Sequence, residues 1–320
     1  MLCSSKIKIG ISCGSLEVLN SGKTREDSPK TLYLLTLGKC ENNCSFCSQA
    51  RESKTNNLYL SRIIWPPIEE NKLFNLLMEN GKFFKRICIQ VTKSYLWKEF
   101  TKELIIKLKN FNMPISLSAP IENLNEIDEF LNLGVENINI SLDVASPRLF
   151  EKLKEKSFNE RINLLILAGR KYKKRITSHI IIGLGEEENE ALEIIDKLIE
   201  ENINIALFAF TPIPGTRLEN LPPPDYLKYR KIQIISYLLK RKLIKFSDLR
   251  FKNGELIIEE WWLNLAKPYF NEIFLTSGCH NCNRPYYNES PKITPYNFPR
   301  PIRREELKEI WRILTLNMNY

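Results

Sequence analysis

No run of apolar residues in the chain is long enough to cross a bilayer. The opening residues, MLCSSKIKIGISCG, also lack the continuous apolar block of a secretory signal. These two absences lead to the expectation of a cytoplasmic protein with no membrane partner. A long block of like charge is missing too: 47 Lys+Arg are interleaved with 38 Asp+Glu, so the net charge of +9 suits an acidic partner without identifying one, and nucleic acid is not expected. There is no glycine-periodic or low-complexity tract, and 43% of the residues are hydrophobic. A collagen-like repeat and a disordered tail are therefore excluded, and the 320 residues are enough to bury a sizeable core. Histidine is nearly absent, with only His179 and His280.

Cysteine is present and clustered, at positions 3, 13, 40, 44, 47, 88, 279 and 282. In a reducing compartment, clustered thiols point to metal before disulfide.

From Thr31 to Lys240 short β-branched runs alternate with longer amphipathic segments, the pattern of βαβ units on a parallel sheet. Six strands are expected, starting near Thr31, Lys85, Pro114, Glu136, Thr177 and Asn204. Right-handed crossovers would roll six such units into an α/β fold, a partial, open (β/α)6 barrel with its functional loops at the strand C-terminal ends. The expected division is an N-terminal extension over 1–30, the barrel over 31–240 and a small C-terminal appendage over 241–320 that carries the second cysteine group. That appendage reads as a hairpin around Asn253-Gly254, a Pro- and Tyr-rich coil, and a last amphipathic helix from Arg303.

In LGKCENNCSFCSQA, Cys40, Cys44 and Cys47 follow the first expected strand at C-x3-C-x2-C spacing. Three thiolates on one loop hold three irons of a four-iron cluster and leave the fourth iron without a protein ligand. A closed zinc site would need a fourth Cys or His, and neither histidine is near in sequence. The spacing, with Phe46 before the last cysteine and the triplet after the first of six β/α units, resembles the radical S-adenosylmethionine (SAM) superfamily over 31–240. The resemblance implies that SAM chelates the open iron, and that its reductive cleavage yields a 5′-deoxyadenosyl radical able to take hydrogen from unactivated carbon. It further implies cofactor contacts from Asn139, Ser141 and Asp143 in NISLD, from Gly183 and Gly185 in IIIGLGEEENEA, and from Gly215 and Thr216 in FTPIPGTRLEN, which is close to the biotin synthase branch. Asp143 is equally readable as a helix N-cap, Glu186 as first-turn helix charge, and Gly215 as a plain Pro-Gly turn. Where the family commonly has a Gly-Gly-Glu segment this chain has IQVTKS, so Gln90, Thr92 or backbone carbonyls would receive the amino group of SAM.

TSGCHNCNRPYYNE sets Cys279 and Cys282 in a C-x2-C turn. Cys13, and Cys3 as a further candidate, are the cysteines outside the barrel available to complete a second site, with Ser12, Ser15 or Ser277 as oxygen donors. Cys88, inside an expected strand, reads as a buried small hydrophobe. Zinc or a redox dithiol are the alternatives for the pair. The tail resembles archaeal two-component lipoyl synthases, in which a second radical SAM synthase shares the sulfur insertions. That resemblance implies an auxiliary 4Fe-4S cluster whose sulfide is inserted into an octanoyl group on a carrier protein, with a low-potential ferredoxin as electron donor. Arg217, Arg284 and Tyr286 are candidates to face the carrier. A biotin synthase-like enzyme with a structural cysteine pair is the alternative within the family. A non-catalytic iron–sulfur scaffold or a nucleic-acid-binding protein is the alternative outside it.

Overall fold

The computed structural model describes residues 8–318. Cys3 lies outside the described residues. Six parallel strands form the centre of one open sheet: β2 (Thr31–Leu37), β4 (Arg86–Val91), β5 (Ile115–Ser118), β6 (Asn137–Asn139), β7 (Ile176–Ile182) and β8 (Asn204–Ala209). Two further strands, β1 (Lys8–Ile11) and β3 (Pro67–Ile68), extend it on the β2 side, giving the order β8-β7-β6-β5-β4-β2-β1-β3. β1 runs antiparallel to β2, with Ile9 opposite Thr36 and Ile11 opposite Leu34. The expected N-terminal extension thus contributes a strand, β1, to the barrel sheet, between β2 and the edge strand β3. The expected strand from Glu136 is shorter than its sequence pattern. It ends at Asn139, and pairing resumes at the single bridge between Asp143 and Ile180.

All seven residues of β2 are buried, because helices cover one face of a parallel strand and the barrel interior occupies the other. The helices start where short polar side chains cap them: Asn123 accepts from Glu126 N, Ser157 from Glu160 N and Asp225 from Lys228 N. Helix Tyr226–Lys240 is buried on most of its surface, including Arg230. Its guanidinium donates to Pro295 O at 2.6 Å and Tyr296 O at 2.5 Å, so the desolvated charge meets carbonyls of the C-terminal coil. The hairpin is present at Phe251–Lys252 and Glu255–Leu256, and the last helix is Arg304–Leu316.

The segment 276–289 is not a detached appendage. It runs under the sheet, across the N-terminal ends of the parallel strands, and ties to the first residues of three of them. Asn204 Nδ2 donates to Gly278 O at 2.6 Å, Arg86 Nε to His280 O at 2.9 Å and Thr31 Oγ1 to Asn281 O at 3.0 Å. It also bridges the open side of the barrel. Leu207 N donates to Ser277 Oγ on the β8 side, and Ser61 Oγ and Arg62 Nη1 donate to Tyr287 O and Tyr286 O on the other. The barrel therefore has a floor.

Candidate active site

Above that floor lies a cavity of about 300 Å³ enclosed by the inner faces of the strands. Cys40, Cys44 and Cys47 sit on its wall in the loop after β2, at the C-terminal ends of the strands. That loop is held from several sides. Cys47 N donates to Cys44 O at 3.0 Å, Ser45 N to Leu153 O at 2.8 Å and Asn43 Nδ2 to Glu155 Oε1 at 3.0 Å. Arg217 bonds the Asn43 carbonyl and pairs with Glu155 at 2.8 Å. Lys54 N donates to Gly215 O at 2.8 Å, and a side chain at Gly215 would stand 2.7 Å from Thr55 N, which explains the glycine there. Thr216 is buried behind the loop and bonded to Ile213 O at 2.8 Å, outside the main cavity. Gly215, Thr216 and Arg217 thus seat the cysteine loop, and the Arg217 side chain stays partly exposed.

The triplet fits a four-iron cluster by the chemistry of its donors: three soft thiols on one anchored loop, facing a cavity. Burial pushes the Cys44 and Cys47 thiols up, so loading the site with metal must release their protons.

Asn139, Ser141 and Asp143 all line the cavity. Asn139 Nδ2 donates to Ser118 Oγ at 3.0 Å and Ser141 Oγ at 2.7 Å. Asp143 has a left-handed backbone (φ 65°) and pairs with Lys154 at 2.5 Å. It caps no helix, since Ser146 occupies the N-cap position of the helix that follows. Gly183 and Gly185 do not reach the cavity. Gly183 has φ 105° and a side chain there would stand 2.7 Å from Pro224 Cδ, so its glycine is a packing requirement. The neighbouring Glu186 carboxylate accepts from Gly183 N at 2.9 Å and Leu184 N at 2.8 Å, closing the turn from which cofactor contacts are expected. Gln90 lines the cavity, whereas Thr92 is used in tying β4 to Thr36.

The second cysteine group is where the structure departs most from expectation. Cys279 and Cys282 project into the same cavity from the floor. Cys13 does not join them: it opens helix Cys13–Ser21 with its side chain exposed and does not line the cavity. Ser12 and Ser15 are bonded to one another at the start of that helix, so they supply no ligand to the pair. Cys88 takes the inward place instead. Ile87 and Ile89 are fully buried in the layer outside the strand, and alternation turns Cys88 and Gln90 toward the cavity, where Gln90 Nε2 lies 3.0 Å from Cys88 Sγ. Tyr33 Oη stands 3.4 Å from Cys282 Sγ, and Arg284 Nη1 stands 3.8 Å from it. Arg284 points into the barrel, stacked 4.0 Å from the Phe208 ring centroid, and the Tyr286 hydroxyl bonds Asp27 at 2.7 Å.

Several cavity residues carry no sequence motif. Lys154, Lys156 and Arg161 face Asp143 and the triplet. His179 is held neutral, its pKa depressed to about 3 by burial, with Nδ1 beside Ser141 Oγ at 3.3 Å. The alternation of β7 would have shown His179 facing inward once the barrel was assumed; the lysines sit on helices and loops beyond such a rule.

Among the described residues, no helix is long and apolar enough to cross a membrane. Biotin synthase of Clostridium acetobutylicum is 26% identical over 225 residues, which cover 68% of this chain and 67% of that protein. Biotin synthase of Thermodesulfovibrio yellowstonii is 25% identical over 237 residues, 72% of each chain. Among solved structures, Streptococcus suis SuiB bound to S-adenosylmethionine superposes with a TM-score of 0.51 at 14% identity, covering 67% of this chain and 48% of that one, a likeness of fold. The chain thus spans about two thirds of the first of these biotin synthases and about half of SuiB. The sequence profile of the Radical SAM superfamily matches residues 34–198, more than half of the 320, and includes the whole cysteine triplet. With a six-strand open barrel, a cysteine loop at its mouth and that match, the chain belongs to the radical SAM superfamily, whose cofactors are a 4Fe-4S cluster and S-adenosylmethionine.

Proposed function

We propose that the protein is a radical SAM enzyme that inserts sulfur into an unactivated C–H bond, with a protein-bound octanoyl group as substrate, as in lipoyl synthesis. The observation that carries this reading is that two separate cysteine groups open onto one cavity, one at its mouth and one on its floor. With a 4Fe-4S cluster and SAM at Cys40, Cys44 and Cys47 and an auxiliary iron–sulfur cluster at the second group, the site would combine hydrogen abstraction from carbon with a source of sulfide. The chain's own residues do the rest. The floor segment, bonded to Thr31, Arg86 and Asn204, spans the lower end of the barrel, where it would limit the entry of bulk water. Ile181, Phe208 and Phe210 give the wall an apolar surface for an alkyl chain, while Asn139, Ser141 and Asp143 offer acceptors for hydroxyl groups. Lys154 fixes the Asp143 carboxylate, and Arg284 places a permanent positive charge beside the floor thiols.

An acidic octanoylated carrier domain and a low-potential ferredoxin are the proposed partners, drawn to a chain of net charge +9. A second radical SAM synthase sharing the two insertions is the further partner suggested by the tail. Biotin synthesis is the second reading. It is favoured by the two relatives of that name and by Cys88, which faces the interior from the second parallel strand. The test is an anaerobic reaction with reductant and S-adenosylmethionine, offering octanoyl-lysyl peptide beside dethiobiotin, read by mass spectrometry. A thiolated peptide is the expected product. Thiolated dethiobiotin alone would move the assignment to biotin synthesis, and deoxyadenosine without any thiolated product would remove sulfur insertion.

A further inference from the structure

The residues expected to complete the second site lay at the two ends of the chain, but the fold assembles a different set. Cys88 projects inward from β4, and the C-x2-C turn rises toward it from the floor. The turn is not free to leave. Its backbone carbonyls at Gly278, His280 and Asn281 are each held by a side chain at the start of a different strand. Asn283 secures the following residue on both sides, accepting from Lys30 N at 2.9 Å and donating to Ser28 O at 2.9 Å. Cys279 Sγ lies 3.8 Å from Thr177 Oγ1 and Cys282 Sγ 3.4 Å from Tyr33 Oη, so the two thiols are fixed against opposite walls, on β7 and β2, with β4 adjoining the second. The cavity is lined by six cysteines, of which three are the triplet. The other three are Cys88, Cys279 and Cys282.

We propose that Cys88, Cys279 and Cys282 together hold one iron–sulfur centre on the floor of the barrel, with Arg284 offsetting its negative charge and Cys13 taking no part. This deepens the sulfur-insertion reading and rests on it for the purpose of the centre, though the ligand set stands on the geometry alone. An iron–sulfur cluster suits the arrangement better than a single zinc. Tetrahedral zinc needs its thiolates roughly 4 Å apart around one point, and among the described residues no three His, Cys, Asp or Glu side chains converge in that way. A cluster of several irons separates its ligands further. Arg284, beside these thiols, both stacks on an aromatic ring and bonds to a strand carbonyl, with Nη2 donating to Leu207 O at 3.2 Å. Its charge is thereby fixed in place before any metal arrives. Such a centre would tie the floor segment covalently to β4, coupling metal loading to the order of 276–289.

The test counts iron and acid-labile sulfide in anaerobically reconstituted protein. Two four-iron clusters give about eight irons in the parent. Cys88→Ser is expected to retain about four, with S-adenosylmethionine still cleaved at the untouched triplet, and Cys13→Ala to retain about eight. About eight irons in Cys88→Ser, about four in Cys13→Ala, about four in the parent and both variants alike, or zinc in place of iron at the second site would each overturn the proposal. If Cys88→Ser fails to fold and binds no iron, hydrogen–deuterium exchange on the unaltered protein decides. Loading should slow exchange in 86–91 and 276–289 together, beyond the change at the triplet loop, and protection confined to the triplet loop or appearing at 8–21 would overturn the ligand set. A loaded second centre that yields no thiolated product would retain the site and reject sulfur insertion.

Discussion

Lys154 places its ammonium 2.5 Å from the carboxylate of Asp143, and both side chains are nearly enclosed at the wall of the cavity. The same ammonium lies near the carbonyls of Ser141 and Leu142, so one cation gathers the end of the fourth parallel strand. Removing it while leaving the carboxylate would strand a buried charge. Lys154→Met is expected to cost about 3–5 kcal/mol of stability, and Asp143→Asn combined with Lys154→Met less than the single change. Urea unfolding of the parent, the single and the double variant checks the order; an additive double variant would mean that the two side chains do not act as a pair.

Each triplet cysteine is expected to be indispensable for the family's chemistry. Cys40→Ala, Cys44→Ala and Cys47→Ala should each abolish deoxyadenosine formation under reducing, oxygen-free conditions, measured by chromatography, while leaving the melting behaviour of the metal-free chain close to that of the parent. Undiminished deoxyadenosine in any one of them would remove that cysteine from the site.

Gly183 is expected to matter for folding and not for cofactor affinity. An alanine there combines φ 105° with a contact of 2.7 Å to Pro224, which should cost about 1–3 kcal/mol. Equilibrium dialysis of S-adenosylmethionine against the reconstituted variant should give the parent's affinity, and a large loss of affinity in a stably folded Gly183→Ala protein would return the glycine to the cofactor site.

Stability is expected to carry a pH signature from Glu289 in the floor segment. Burial pushes its carboxyl up to about 7, opposed by Arg230, Arg284 and Arg62, and its Oε2 has no partner. The folded chain holds this proton more tightly than the unfolded chain, so stability from this group is greatest below the ordinary value of 4.5 and declines as pH rises through about 7. His179 acts in the opposite sense, because burial keeps it neutral to about 3 and the unfolded chain gains its proton below the ordinary 6.5. Glu289→Gln is therefore expected to flatten the decline between about pH 5 and pH 8 and to gain up to about 3 kcal/mol at the upper end. Chemical melts of the two proteins across that range would show it, and parallel curves would place the titration elsewhere.

The six parallel strands and the triplet were legible because each is a local signal: a β-branched run, a helical period, three cysteines within one loop. The added strand β1 was not, since four residues interrupted by Gly10 make too short a pattern to read. That Cys88 faces the cavity was not legible, because alternation fixes which side chains share a face but not which face meets a cavity. The arrival of Cys279 and Cys282 at the same cavity depends on a coil that turns back under the barrel through Arg86, Thr31 and Asn204, three contacts whose residues carry no pattern of their own. Gly183 shows the converse: a glycine required by the close approach of Pro224 reads in the sequence the same as one cleared for a ligand.

The floor segment also sets an order of construction. It follows all six parallel strands in the chain, so a ribosome delivers the triplet loop and the strand bearing Cys88 long before the turn bearing Cys279 and Cys282. The first metal site can be filled on a nascent barrel still open at both ends. The proposed second site would be complete only once the late segment lies beneath the strands, so that closure of the barrel and completion of that site would be a single event in the biogenesis of the protein.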